Sequence, residues 1–485
     1  MNDKNYQKRP KRKKSKKLIW IILLELVVVL ALFGAYQLFV QKDKKPNNEG
    51  SSNTQGDIPG TKDGVVPDEE VDEVEVLTPE EIEAANEQER LKKAEQDRKD
   101  LIVKADKLIL NYDYDKAVEL IKGFESPEGG YEAYPVLVAA IARYEAQKSA
   151  LVLYGGSYTS VTQFSHIFFH SLVADNSKAF DGDEDENGYN MYMTTATEFV
   201  NMMQEMYEDG YILVSIHDIA KQETLEDGST VFAEQEIYLP EGKKPFVLSQ
   251  DDVNYYDYMT GDGFASRMVV GEDGKPTTEM ILEDGSVVTG PYDMVPILDA
   301  FIEEHPDFSY KGAKGILALT GYEGTLGYRT NDPESPTYEE DKETVKKVVE
   351  ALKKDGWELA SHSWGHRNMQ EKSYEFIKTD TNRWFEEVGS LIGPTDIIIF
   401  PYGVDIETTM GLYSGDKYKF LKEKGFNYFC GVDSKPWMHI KNDYVRMTRR
   451  PLDGQAMLQF PERLTTDLFS YLNTIIDPDR PERGW

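Results

Sequence analysis

Between Leu18 and Val40 the chain is almost wholly apolar, and Glu25 is its one charged residue. At about 1.5 Å per helical residue this crosses a ~30 Å hydrocarbon core, so the pattern predicts one transmembrane helix over 18–40. A cleaved signal peptide would have a shorter apolar region followed by a small-residue cleavage site, and no A-x-A follows here. Residues 41–77 are rich in Lys, Asn, Gly, Ser, Asp and Glu, which predicts a flexible linker. Order is expected to resume at Thr78-Pro79-Glu80-Glu81, which combines an N-cap, Pro at the first helical position and Glu three residues after the cap. Leu101, Ile102, Ala105, Leu108 and Ile109 then share one helical face, a turn falls at Asn111 to Asp113, and Ala117, Val118, Leu120 and Ile121 resume the period. A small helical stalk or packing module over 78–148 is the expectation.

From Leu151 short apolar runs alternate with amphipathic helical stretches, the pattern of a parallel α/β architecture. The expected strands are His166 to His170, Ile212 to Ser215, Phe246 to Leu248, Gly315 to Leu319, Glu358 to Ser361, Ile397 to Phe400 and Tyr428 to Val432. Met294, Ile297, Leu298 and Phe301 recur at helical spacing, as do Val345, Val348, Val349 and Leu352, with Gly356 placed to end the second helix. GEDG and LEDG turns between short β runs mark a hairpin insertion over about 261–290. The α/β domain is expected to span 150–475.

Charge adds a topology. The 485 residues carry a net charge of -33, but residues 1–17 hold +8 and the chain from residue 41 holds -40. The positive-inside bias places the 1–17 segment in the cytoplasm and the acidic bulk outside the cell, as a single-pass membrane protein. Glu25 is a lone acid in the span with no partner in its own chain, and residues 4–17 serve as a topology signal that also sits on anionic lipid. An acidic bulk excludes extended nucleic-acid binding, which needs a basic face. One Cys excludes both an intramolecular disulfide framework and a Cys-rich zinc site.

Polar residues just past the C-terminal ends of parallel strands converge on one site in such folds. Three expected strand ends carry candidates. FVLSQDD runs into Asp251 and Asp252, which read either as a solvated acidic pair or as a functional one. ELASHSWGH opens into His362 and His366, two imidazoles four apart that reach one divalent metal if the turn brings them together. DIIIFPYG ends in Pro401-Tyr402-Gly403, a rigid turn able to aim a backbone N–H at a ligand.

The order of these three motifs resembles the NodB-homology polysaccharide deacetylases, the carbohydrate esterase 4 family. The resemblance spans about residues 150–475. It implies a distorted (β/α) barrel that removes acetyl groups from N-acetylated sugars, with Asp252, His362 and His366 as metal ligands and Asp251 as catalytic base. Three departures accompany it. Val253 stands where the family's Asp-Asp is followed by Gly, Ile399 stands where many members have Arg, and no C-terminal Leu-x-His follows His439. A circularly permuted branch, resembling the poly-β-1,6-N-acetylglucosamine deacetylases, places a Tyr-His strand end before the Asp-Asp motif, and HIFFHSL is similar. On that basis His170 is the expected general acid, with His439 second. Arg449 or Arg450, following an expected strand, would orient Asp251 or else be surface charge. Tyr402 and Trp437 are the candidate sugar-stacking residues.

The resulting expectation is a membrane-anchored extracellular N-deacetylase. Its cofactor is a divalent metal, zinc first, and its partner an N-acetylated polysaccharide, peptidoglycan or poly-N-acetylglucosamine. The alternative is a catalytically inactive relative that binds or scaffolds wall polysaccharide. A zinc peptidase is disfavoured because no H-E-x-x-H occurs.

Overall fold

Runs such as FVLSQ, ILAL, III and YFCGV are apolar on both faces, as parallel strands covered by helices must be. In the structure, a computed structural model describing residues 78–155, 164–407, 412–433 and 435–481, these runs close into a barrel. The strands are β1 (Ser165–Phe169), β2 (Lys244–Gln250), β3 (Ile316–Leu319), β4 (Glu358–Ser361), β5 (Ile397–Ile399), β6 (Tyr428–Val432) and β7 (Val445–Pro451). Each pairs in parallel with the next, and β7 closes onto β1 through Arg450↔Ile167 and Pro451↔Phe168. The strand Tyr211–Leu213 flanks only the first half of β2, and Met438–Ile440 runs antiparallel to the first half of β7, so the closure is irregular. The expected α/β barrel is present. β7 was not among the strands expected, and Arg449 and Arg450 lie within it rather than after it.

Strand alternation sorts the side chains. Leu248, Leu317, Leu319 and Leu359 pack outward against Phe199, Leu298, Val345, Val348 and Leu352 of the surrounding helices Ala196–Glu208, Met294–Glu304 and Tyr338–Lys354. Val247, Ile316, Ala318, Ala360, Ile397, Ile399, Cys430, Val445 and Met447 form the inner cluster. The same parity carries His166, Ser249, Asp251, His362 and Arg449 inward toward the barrel's C-terminal mouth.

The first helix runs Pro79–Leu110, with Thr78 and Glu81 forming a reciprocal cap. With Tyr114–Lys122 and Pro135–Ser149 it is packed against the barrel. Ala105, Tyr112, Ala117, Ile121, Leu137 and Tyr144 join the inner apolar cluster, and the Tyr112 hydroxyl donates to the Asp307 carbonyl at 2.9 Å. An antiparallel sheet of Arg267–Val270, Pro276–Ile281 and Val287–Gly290 occupies the 261–290 region. The segments read as basic, membrane-spanning and linker, 1–17, 18–40 and 41–77, lie outside the described residues. Among the described residues no helix is long and apolar enough to cross a membrane.

Candidate active site

Asp251 and Asp252 follow β2 directly, but only Asp251 keeps the inward parity of the strand. The chain turns at Asp252, whose φ is 57°, and again at Tyr255, at 52°. Asp tolerates this left-handed region better than most residues. The positive φ thus falls on Asp252 and Tyr255, and not on Val253, whose N–H bonds the Ala318 carbonyl at 3.2 Å. A Gly after the pair is not needed by this turn.

At the end of β4, His362 is fully buried and its Nδ1 donates to the Ile399 carbonyl at 2.8 Å. That bond fixes the tautomer and leaves the Nε2 lone pair facing the mouth. His366 is brought round by a loop with positive φ at Ser363 (60°) and His366 itself (46°). Asp380 holds this loop, accepting the Trp364 N–H at 2.6 Å and the Gly365 N–H at 3.0 Å.

The ligand atoms of Asp252, His362 and His366 all lie within 4.8 Å of one another. His362 Nε2 is 4.0 Å from Asp252 Oδ1, and His366 Nε2 is 3.8 Å from Asp252 Oδ2. Those gaps are too long for hydrogen bonds. They are slightly wider than the spacing of donors around one zinc with bonds of about 2.0–2.2 Å. Two imidazoles and a carboxylate, with one tautomer fixed from behind, fit a divalent cation by donor chemistry. The Asp252 carboxyl resists burial, which raises its pKa, because His366, His362 and His170 together with the Tyr256 hydroxyl at 2.7 Å bring it below the usual range. Burial likewise outweighs Asp252 at His366 and holds that imidazole below its ordinary value.

Asp251 lies 3.9 Å from His362 Nε2 and is gripped by Arg449 through two bonds, Nη1 to Oδ1 at 2.6 Å and Nη2 to Oδ2 at 2.9 Å. Arg449 is wholly buried, stacks 4.2 Å over Phe168 and also donates to the Ser249 hydroxyl at 3.2 Å. Ser249 in turn meets His166 Nε2 at 3.0 Å. Burial pushes the Asp251 carboxyl up, but the Arg449 charge and hydrogen bonds, with His362, draw it down to about 2. Arg450 takes the opposite face of β7 and pairs with Asp467 at 2.9 Å. Of the two arginines raised by the sequence, only Arg449 reaches the site.

His170 stands just past β1, partly buried, with Nδ1 3.2 Å from the Tyr192 carbonyl. It lies within electrostatic reach of Asp251, Asp252, His366 and Asp453. Gln250 bridges the two strand ends: its side-chain N–H group donates to the His170 carbonyl at 3.3 Å and to both oxygens of buried Asp293, at 2.8 and 2.9 Å. Tyr402, 63% exposed and at φ 57°, packs its ring 4.5 Å from that of His366.

Trp437 is not brought to this cluster. It is 9% exposed, and its indole N–H bonds Asp433 at 3.0 Å while His439 and Arg446 pack on its ring. His439 lies on the short strand beside the first half of β7. The residues that sequence reading missed are Tyr256, Asp380, Gln250 and Asp293. Only Tyr256, four residues past Asp252, carried a local signal.

A family model described as polysaccharide deacetylase matches residues 328–427, which bears out the resemblance to these enzymes, though not the permuted branch in particular. Among solved structures the chain is similar to the Streptococcus pyogenes deacetylase PplD in complex with acetate. That likeness has a TM-score of 0.34 and 11% identity, and covers 62% of this chain and 98% of that one. It is also similar to BA0330 of Bacillus anthracis, with a TM-score of 0.32 and 10% identity over 60% of this chain and 65% of that one. No curated protein sequence matches the chain.

Proposed function

We propose that this protein is a metal-dependent N-deacetylase that hydrolyses the acetamide of N-acetylglucosamine units in a cell-wall polymer or exopolysaccharide. On this reading it acts outside the cell while anchored by the 18–40 segment. The observation that carries the reading is one juxtaposition: an ionised, arginine-held Asp251 beside a three-donor cluster of Asp252, His362 and His366 at the barrel mouth.

A divalent cation held by Asp252, His362 and His366, zinc first, would polarise the acetamide carbonyl and lower the pKa of the attacking water. Asp251 Oδ2, on the His362 side of the carboxylate, accepts the proton of that water as the carbonyl is attacked. Arg449 keeps both oxygens of Asp251 in place for the transfer. The Tyr402 backbone N–H stabilises the developing oxyanion. His170 gives its proton to the departing sugar amine, so that acetate and a glucosamine unit are released.

The test is acetate release from chito-oligosaccharides and isolated wall by the full-length chain in detergent with added zinc. Asp251→Asn is expected to keep bound metal and lose turnover, whereas His362→Ala loses both. Full activity in either variant would sink the assignment. Wall binding by a metal-free protein that releases no acetate would favour the scaffolding alternative.

A further inference from the structure

A cavity of about 660 Å³ opens directly beside the cluster, sharing His366 and Tyr402 with it. That volume falls within the roughly 300–1,000 Å³ usual for small-molecule sites. Tyr322, Phe376 and Tyr402 give it aromatic walls, and Arg367 and Arg383 give it two cations.

The charges in this cavity are not equivalent. Arg383 is committed: it lies 3.5 Å over the Trp364 ring and its Nε bonds Glu387 at 2.7 Å. Asp380, the one carboxylate among the lining residues, is committed to the Trp364 and Gly365 N–H groups that hold the His366 loop. Arg367 is exposed and follows His366 in the chain; its charge reaches Asp380, but among the described residues it forms no ion pair or hydrogen bond with a side chain. In a chain of net charge -33, an arginine left open at the mouth of the site is a local exception.

Building on the deacetylase reading, we infer that this cavity holds the sugar next to the reacting one, and that Arg367 selects a neighbour bearing an anionic group. The aromatic walls take the apolar faces of the ring. The guanidinium takes a carboxylate or a phosphate through paired N–H···O bonds, which a neutral sugar cannot supply. Arg367 lines the cavity and is not one of the Asp252, His362 and His366 donors, so the anion it holds sits on the neighbouring sugar and not on the reacting carbonyl.

Equilibrium titration of the full-length chain tests this with three probes: chitobiose, the same disaccharide carrying a 3-O-lactyl ether, and its 6-phosphate. An anionic disaccharide is expected to bind about tenfold more tightly than chitobiose, the worth of one charge-assisted contact. Preference for the lactyl ether alone identifies a carboxylate as the natural group, and preference for the phosphate alone a phosphoester. The advantage should fall to within about twofold in Arg367→Gln and reverse in Arg367→Glu. Equal affinity for all three probes in the wild type, or an unchanged ratio in both variants, would overturn the inference. Acetate release separates the two claims. Anion preference with no acetate release would sink the deacetylase reading while leaving the binding site, and acetate release without anion preference would do the reverse.

Discussion

Arg449 and Asp251 meet through two parallel hydrogen bonds, at 2.6 and 2.9 Å, with both side chains buried at the barrel mouth. The family that this chain resembles has Arg in many members where Ile399 stands here. In this chain the cation comes from β7 instead, and the Ile399 carbonyl serves to orient His362. Arg449→Lys keeps the charge but loses the fork. It is expected to lower the acetate-release kcat by about 10²–10⁴, the usual worth of a positioned base, with KM little changed. Steady-state kinetics on chito-oligosaccharide checks this, and an unaltered kcat would exclude a positioning role.

Tyr256 holds Asp252 from behind at 2.7 Å. Removing such a support typically weakens metal binding by about 10–100-fold. On the proposed metal-dependent reading, Tyr256→Phe should therefore need correspondingly more zinc for half-maximal occupancy in a competition titration, with an unchanged circular dichroism spectrum.

His217 links the starts of two strands, its Nδ1 bonding Glu358 and its Nε2 lying 3.1 Å from Asp396. Burial pushes this imidazole down, but hydrogen bonds and charge from Asp396 and Glu358 hold it up at about 10, against an ordinary 6.5. Because the folded value is the higher, the stabilisation is complete below pH 6.5 and is lost as pH climbs through about 10. Urea unfolding between pH 6 and 10 should show this decline in the wild type and a flatter profile in His217→Gln.

Arg480 and Glu198 form an ion pair at 2.6 Å with both side chains wholly buried. Arg480→Ala leaves Glu198 charged and unpaired, a loss of about 3–5 kcal/mol. A loss of unfolding free energy in urea titration well below that range would mean that water replaces the guanidinium.

The two motifs richest in chemistry were legible because each is local. Asp251 and Asp252 end one apolar run, His362 and His366 follow another, and a strand's period of two tells which residues share its inner face. The strands Glu358–Ser361 and Tyr428–Val432 fall where that pattern places them. β7 was harder to see, because VRMTRRP carries three arginines and reads as surface. Its inward positions are apolar except for Arg449, whose charge is tolerated there only because Asp251 lies opposite. Trp437, 9% exposed, was hard to place for a related reason: an aromatic near a strand end carries no sign of how far its neighbours will cover it.

By itself, then, the sequence determined the α/β architecture, the faces of its strands and the loops that bear Asp252, His362 and His366. Tertiary structure decided which distant residues complete them: Arg449 on Asp251, Asp293 beneath Gln250, Asp380 under the His366 loop, and the helices of 79–149 against the barrel. The reason is physical. Hydrophobic periodicity is set by the geometry of one strand or helix, whereas a buried charge is acceptable only where closure of the barrel delivers its partner from another strand.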